Sequence, residues 1–83
     1  MGFIEKITID YFRGKSNEQL ERIRMNHKID LSGAKEALKH LPPQSYLGYI
    51  GTIMTIKKLE RELGWIGEII KEREAVAVRE VEE

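Results

Sequence analysis

The longest apolar pattern in the chain follows Pro42-Pro43 and runs to Ala75, interrupted by two glycine pairs, Gly48/Gly51 and Gly64/Gly67. In its first part Tyr46, Leu47, Tyr49, Ile50, Ile53, Met54 and Ile56 cover most of a helix's circumference, as expected at a bundle centre or an interface. From Ile56 the pattern narrows to Ile56, Leu59, Leu63, Ile66 and Ile70, whose alternating steps of three and four make a coiled-coil seam of about two heptads. Such a stretch needs something packed against it. An apolar run of about eleven residues before Lys57-Lys58 is too short to span a bilayer, and the glycine spacing differs from the membrane Gly-x-x-x-Gly pattern.

The rest of the chain also reads as helices. Phe3, Ile4, Ile7 and Tyr11 share one helical face, although Ile7, Ile9 and Tyr11 also alternate as a strand would. Helix is favoured because Glu5-Lys6 breaks the alternation and a single strand would have no pairing partner. Gly14 is expected to close this helix in a left-handed conformation. Ser16 and Gln19 have the capping-box form, so a second helix should start at Asn17 and run to about His27. Asp30 or Ser32 would cap a third, with Leu31, Ala34, Leu38 and Leu41 on its inner face, and Pro42-Pro43 would stop it.

The glycines decide how the last stretch divides. A helix-interior glycine costs about 0.8–1 kcal/mol relative to alanine, so four of them need a reason. One is a C-cap at Gly64, which splits the stretch into helices over 43–63 and 65–75. Another is close backbone approach at Gly48 and Gly51 by a second helix or a second copy of the chain. A third is strand around Tyr49 to Ile56, where β-branched residues are common. The fold expected is all-α: a small helical bundle of about four to five helices with a long C-terminal helix or helix pair. Residues 1–75 would form one domain and 76–83 an acidic, frayed tail.

Composition sharpens this in three ways. Eighty-three residues make a thin core, and the absence of cysteine removes disulfide staples and thiolate metal sites. Lys6 stands where a myristoylation signal needs Ser or Thr and no apolar leader follows, so a cytoplasmic setting is expected. Net charge is zero but polarised: residues 11–58 hold nine Lys/Arg against four acids, and residues 59–83 hold four against eight.

Candidate chemistry is sparse. His27 and His40 lack the spacing of a metal or general-base site, while Asp30 and Ser16 are better explained as caps, so no catalytic residue, metal site, cofactor or small-molecule ligand is expected. The cluster Arg13, Lys15, Arg22, Arg24 and Lys28 is the candidate phosphate-binding set, with Tyr11 and Phe12 at its edge. The helix following it lacks the Arg, Asn and Gln that usually read base edges. The leading expectation is a non-enzymatic protein–protein interaction module, an adaptor, inhibitor or regulator of the kind frequent in phages and mobile elements. It would bind a protein partner or itself, as a homodimer, through Tyr46, Tyr49, Ile50, Ile53, Ile56, Leu59, Leu63, Trp65, Ile66 and Ile70, with Gly48 and Gly51 as close-packing positions. A dimeric nucleic-acid-binding regulator is the alternative.

Overall fold

The structure, a computed structural model, describes residues 2–82, with side chains described through Glu80. Three helices account for almost all of it: α1 over Phe3–Arg13, α2 over Asn17–Lys39 and α3 over Tyr46–Glu82. The fold is all-α, but with three helices in place of the four to five expected. Two anticipated boundaries do not exist. Asp30 and Ser32 lie exposed in the middle of α2, where neither caps anything, because no proline or left-handed residue interrupts the backbone there. Gly64 is likewise interior to α3, and no glycine among the described residues has positive φ. Gly14 ends α1 in a right-handed conformation, φ −78° and ψ −6°, its N–H donating to the Asp10 carbonyl.

The capping box at the start of α2 forms as its sequence implies. The Gln19 N–H donates to Ser16 Oγ at 3.1 Å, and the Ser16 N–H donates to Gln19 Oε1 at 2.9 Å. After Lys39 the chain turns through Pro42-Pro43, where the Ser45 N–H closes a turn onto the Pro42 carbonyl. Pro42 and Pro43 therefore stand in the turn, and α3 begins only at Tyr46. From there α3 continues to Glu82, through most of the expected acidic tail; Glu83 lies outside the described residues.

α2 and α3 form an antiparallel hairpin. Its register is marked by Leu41 beside Gly48 at the turn, His27 against Glu62 midway, and Asn17 against Arg73 at the far end. α1 lies parallel to the second half of α3, pinned by Glu5–Arg61 at 3.4 Å and Arg13–Glu72 at 3.0 Å. All three helices meet only there, around a core of Phe12, Leu20, Ile66, Ile69 and Ile70, with Ile23 and Trp65 packed on it. Leu20 and Ile66 have no exposed surface at all.

Helix lengths set the shape. At 1.5 Å per residue, the 37 residues of α3 reach about 55 Å. The molecule is accordingly 61 Å long, and its radius of gyration of 16.4 Å exceeds the roughly 12 Å of a compact chain this size. Among the described residues no helix is long and apolar enough to cross a membrane.

One arginine ties the joint together. Arg73 donates to the carbonyls of Arg13 and Lys15, both at 2.9 Å, and to Asn17 Oδ1 at 2.7 Å. It thereby satisfies the Arg13 carbonyl at the end of α1 and the Lys15 carbonyl in the loop, and fixes the start of α2. Arg73→Ala should lower stability by about 1.5–3 kcal/mol in urea denaturation, and Arg73→Lys should fail to restore it because an ammonium cannot reproduce the planar fork. The glycines yield a second expectation. A Cβ at Gly51 meets nothing within 4 Å, whereas one at Gly48 would sit 2.6 Å from Ser45 Oγ. Gly51→Ala should therefore gain about 0.8–1 kcal/mol in thermal melts, and Gly48→Ala should gain less.

Candidate functional site

On α3 the residues facing the chain's own core are Leu59, Ile66, Ile69 and Ile70, with Glu62 and Arg73 continuing the same side as its polar members. Followed back toward the turn, the half-buried positions near this side are Ile56, Thr52 and Gly48, the last beside Leu41. Thr52 and Thr55 return their hydroxyls to the helix itself, Thr52 to the Gly48 carbonyl and Thr55 to the Gly51 carbonyl. Four of the large apolar residues of 46–56 are turned to solvent. Tyr46 is 70% exposed, Leu47 84%, Tyr49 48% and Met54 66%. Ile50, Ile53 and Ile56 are half-buried.

The structure thus divides the residues singled out in the sequence. Leu59, Ile66 and Ile70 are core residues of this chain, and Leu63 and Trp65 are half-buried. Tyr46 and Tyr49 are exposed, whereas Ile50, Ile53 and Ile56 are half-buried. Gly48 lies against Leu41 and Ser45, while Gly51, Gly64 and Gly67 have open space around them within the chain.

A second apolar face lies on α1. Phe3, Ile4, Ile7 and Tyr11 share a face, as their spacing implies, but it points to solvent, with Phe3 and Ile4 both nearly four-fifths exposed. α1 attaches instead through Phe12 and Ile9. Periodicity identified the stripe without revealing its direction. Between α1 and α3 lies an open cleft of about 370 Å³ with Ile9, Trp65 and Ile69 as its apolar wall and Lys6, Asp10, Arg13 and Glu68 around it. The Arg61 guanidinium covers the Trp65 ring at 5.7 Å.

The basic cluster is largely occupied. Arg13 pairs with Glu72, Arg22 approaches Glu18, and Arg24 forms a two-oxygen pair with Glu21 at 2.8 and 2.9 Å. Lys15 stacks over the Tyr11 ring at 4.5 Å. Of the five candidates, Lys28 alone makes neither an ion pair nor a ring contact among the described residues. Exposed pairs of this kind are worth little in stability, yet each offsets a positive charge that a phosphate would otherwise meet. His27 Nε2 lies 3.0 Å from Glu62 Oε1, a half-buried pair across the α2–α3 seam that joins no third ligand. Among the described residues no three metal-ligating side chains converge, and no buried side-chain polar atom lacks a partner.

Two features escaped the sequence reading. The Arg73 clamp could have been suspected, since Arg73 continues the spacing of Ile66 and Ile70 and so falls on the inner side of α3. The His27–Glu62 pair had no local signal, because its partners are 35 residues apart. Comparison with known protein families, curated proteins and solved structures finds no match to this chain.

The two sides of α3 should respond differently to substitution. Ile66→Ala should cost about 2–5 kcal/mol by opening a cavity in the core, whereas Met54→Glu should change stability by no more than about 0.5 kcal/mol. Denaturant titrations of the two variants, followed by circular dichroism, check this placement directly.

Proposed function

We propose that this chain is a non-enzymatic protein–protein interaction module whose working surface is the uncovered face of α3 between Tyr46 and Lys57. The observation that carries the reading is the cluster of large apolar side chains left in solvent on a rigid helix, with Tyr46, Leu47, Tyr49 and Met54 each 48–84% exposed. Isolated apolar residues on a surface need no explanation, but a contiguous set marks an interaction site. Tyrosine at such a surface supplies large contact area at low entropic cost and is enriched among residues that dominate binding.

Rigidity supports the same reading. The face belongs to a continuous helix, so its backbone is already ordered before a partner arrives, which lowers the ordering cost of association. The pairing of Arg13, Arg22 and Arg24 with carboxylates weighs against the nucleic-acid alternative, since a phosphate backbone would have to compete with charges already in place.

Affinity capture with the intact chain, compared with a Tyr49→Glu/Met54→Glu double variant, tests the proposal. Loss of captured protein with unchanged helix content is the expected result. Replacing Arg13, Lys15, Arg22 and Arg24 by alanine should leave capture unchanged. The opposite pattern, capture unaffected by the α3 changes and lost with the basic residues, would discard the module reading.

A further inference from the structure

Away from the 46–57 face, the cleft between α1 and α3 combines a cavity, an accessible aromatic ring and charges that the chain leaves unanswered. Its volume of about 370 Å³ lies at the lower end of the range for small-molecule pockets. Ile9, Trp65 and Ile69 form its apolar wall. Arg61 covers the Trp65 ring at 5.7 Å but does not line the cleft, so part of this half-buried ring stays open to a ligand. Nothing in the sequence pattern points to this place, because its two walls come from opposite ends of the chain.

The charges select the occupant. Because Glu5 meets Arg61 and Arg13 meets Glu72, α1 and α3 run side by side in a register that brings Asp10 level with Glu68. Both carboxylates line the cleft and both are exposed, and neither makes an ion pair among the described residues. Lys6, also on the rim, stands one turn before Asp10 without closing a pair on it, in the weaker of the two helical orientations. Arg13 is taken by Glu72 at 3.0 Å. With Glu72 included, three carboxylates stand against two cations around the cleft, and a cation entering between Asp10 and Glu68 relieves their mutual repulsion.

We infer that this cleft binds a small organic ammonium with a compact aromatic or apolar body. The body lies against Ile9, Trp65 and Ile69, and the ammonium lies at Asp10 and Glu68. The ring adds an attraction of its own, since an indole face draws a cation, as its contact with Arg61 illustrates. The same features disfavour other ligands. An anion of the same size would meet both carboxylates and find only Lys6 free to pair with it. A metal ion would lack a third ligand, because no three metal-ligating side chains converge among the described residues. The site is separate from the 46–57 face and does not depend on reading that face as an interaction surface.

Titration of the full chain at neutral pH with 2-phenylethylamine, 2-phenylethanol and phenylacetate tests the assignment. These probes share one aromatic body and differ in charge. Trp65 is the only tryptophan, so its fluorescence, excited beyond the absorbance of tyrosine and phenyl rings, reports the cleft directly. The amine should give a saturable change and bind roughly three- to tenfold tighter than the alcohol, with phenylacetate weakest. Asp10→Asn/Glu68→Gln should remove the preference for the amine; both positions are exposed, so the core is untouched. Tyr49→Glu/Met54→Glu should leave that preference unchanged. The site is overturned if the amine gives no saturable response, if phenylacetate binds as tightly, or if the preference survives Asp10→Asn/Glu68→Gln. Loss of amine binding in Tyr49→Glu/Met54→Glu would place it outside the α1–α3 cleft and overturn it equally. Capture of a protein partner is read from the other face, so failure of the amine titration leaves the module reading standing.

Discussion

The joint where α1, α2 and α3 meet governs this molecule. Phe12, Leu20, Ile66, Ile69 and Ile70 are buried against one another there, and Arg73 holds the intervening turn through three hydrogen bonds to Arg13, Lys15 and Asn17. Elsewhere along α3 only one helix or none lies beside it. A charge-assisted hydrogen bond outweighs a neutral one, and here one guanidinium serves the end of one helix, the loop and the start of the next. Without that joint α1 would keep only the Glu5–Arg61 and Arg13–Glu72 contacts and the packing of Ile9, too little to hold an 11-residue helix in place.

The joint's position follows from arithmetic of length. α2 has 23 residues and α3 has 37, so a hairpin closed at residues 40–45 leaves the end of α3 without company. α1, at 11 residues, reaches only the segment from about Arg61 to Glu72. The uncovered surface is thus a direct result of unequal helices sharing one axis. A chain this small has little buried surface to spare, so whatever covers the remaining apolar face would also add to its stability by mass action.

Electrostatics tells the same story. The basic middle and acidic end of the sequence are brought side by side by folding, and contacts such as Arg13–Glu72 and Lys35–Glu60 join the two regions. These surface pairs are weak individually and screened by salt. Arg13–Glu72 and the local pairs of Arg22 and Arg24 offset part of the basic cluster, while Lys57 and Lys58 make no ion pair among the described residues.

By itself the sequence determined the helical class, the capping box at Ser16, the turn at Pro42-Pro43 and the spacing of every apolar stripe, because these depend on local backbone chemistry and periodicity. It overstated the helix count, since Asp30, Ser32 and Gly64 resemble boundaries yet are tolerated inside helices when packing continues on both sides. Tertiary structure alone decided which stripe faces inward. The α1 stripe of Phe3, Ile4, Ile7 and Tyr11 and the seam of Leu59, Ile66 and Ile70 look alike as patterns, but only the second is buried. The reason is geometric: a helix of 37 residues offers more apolar surface than helices of 11 and 23 residues can cover, and where they lie along it depends on contacts between residues distant in sequence.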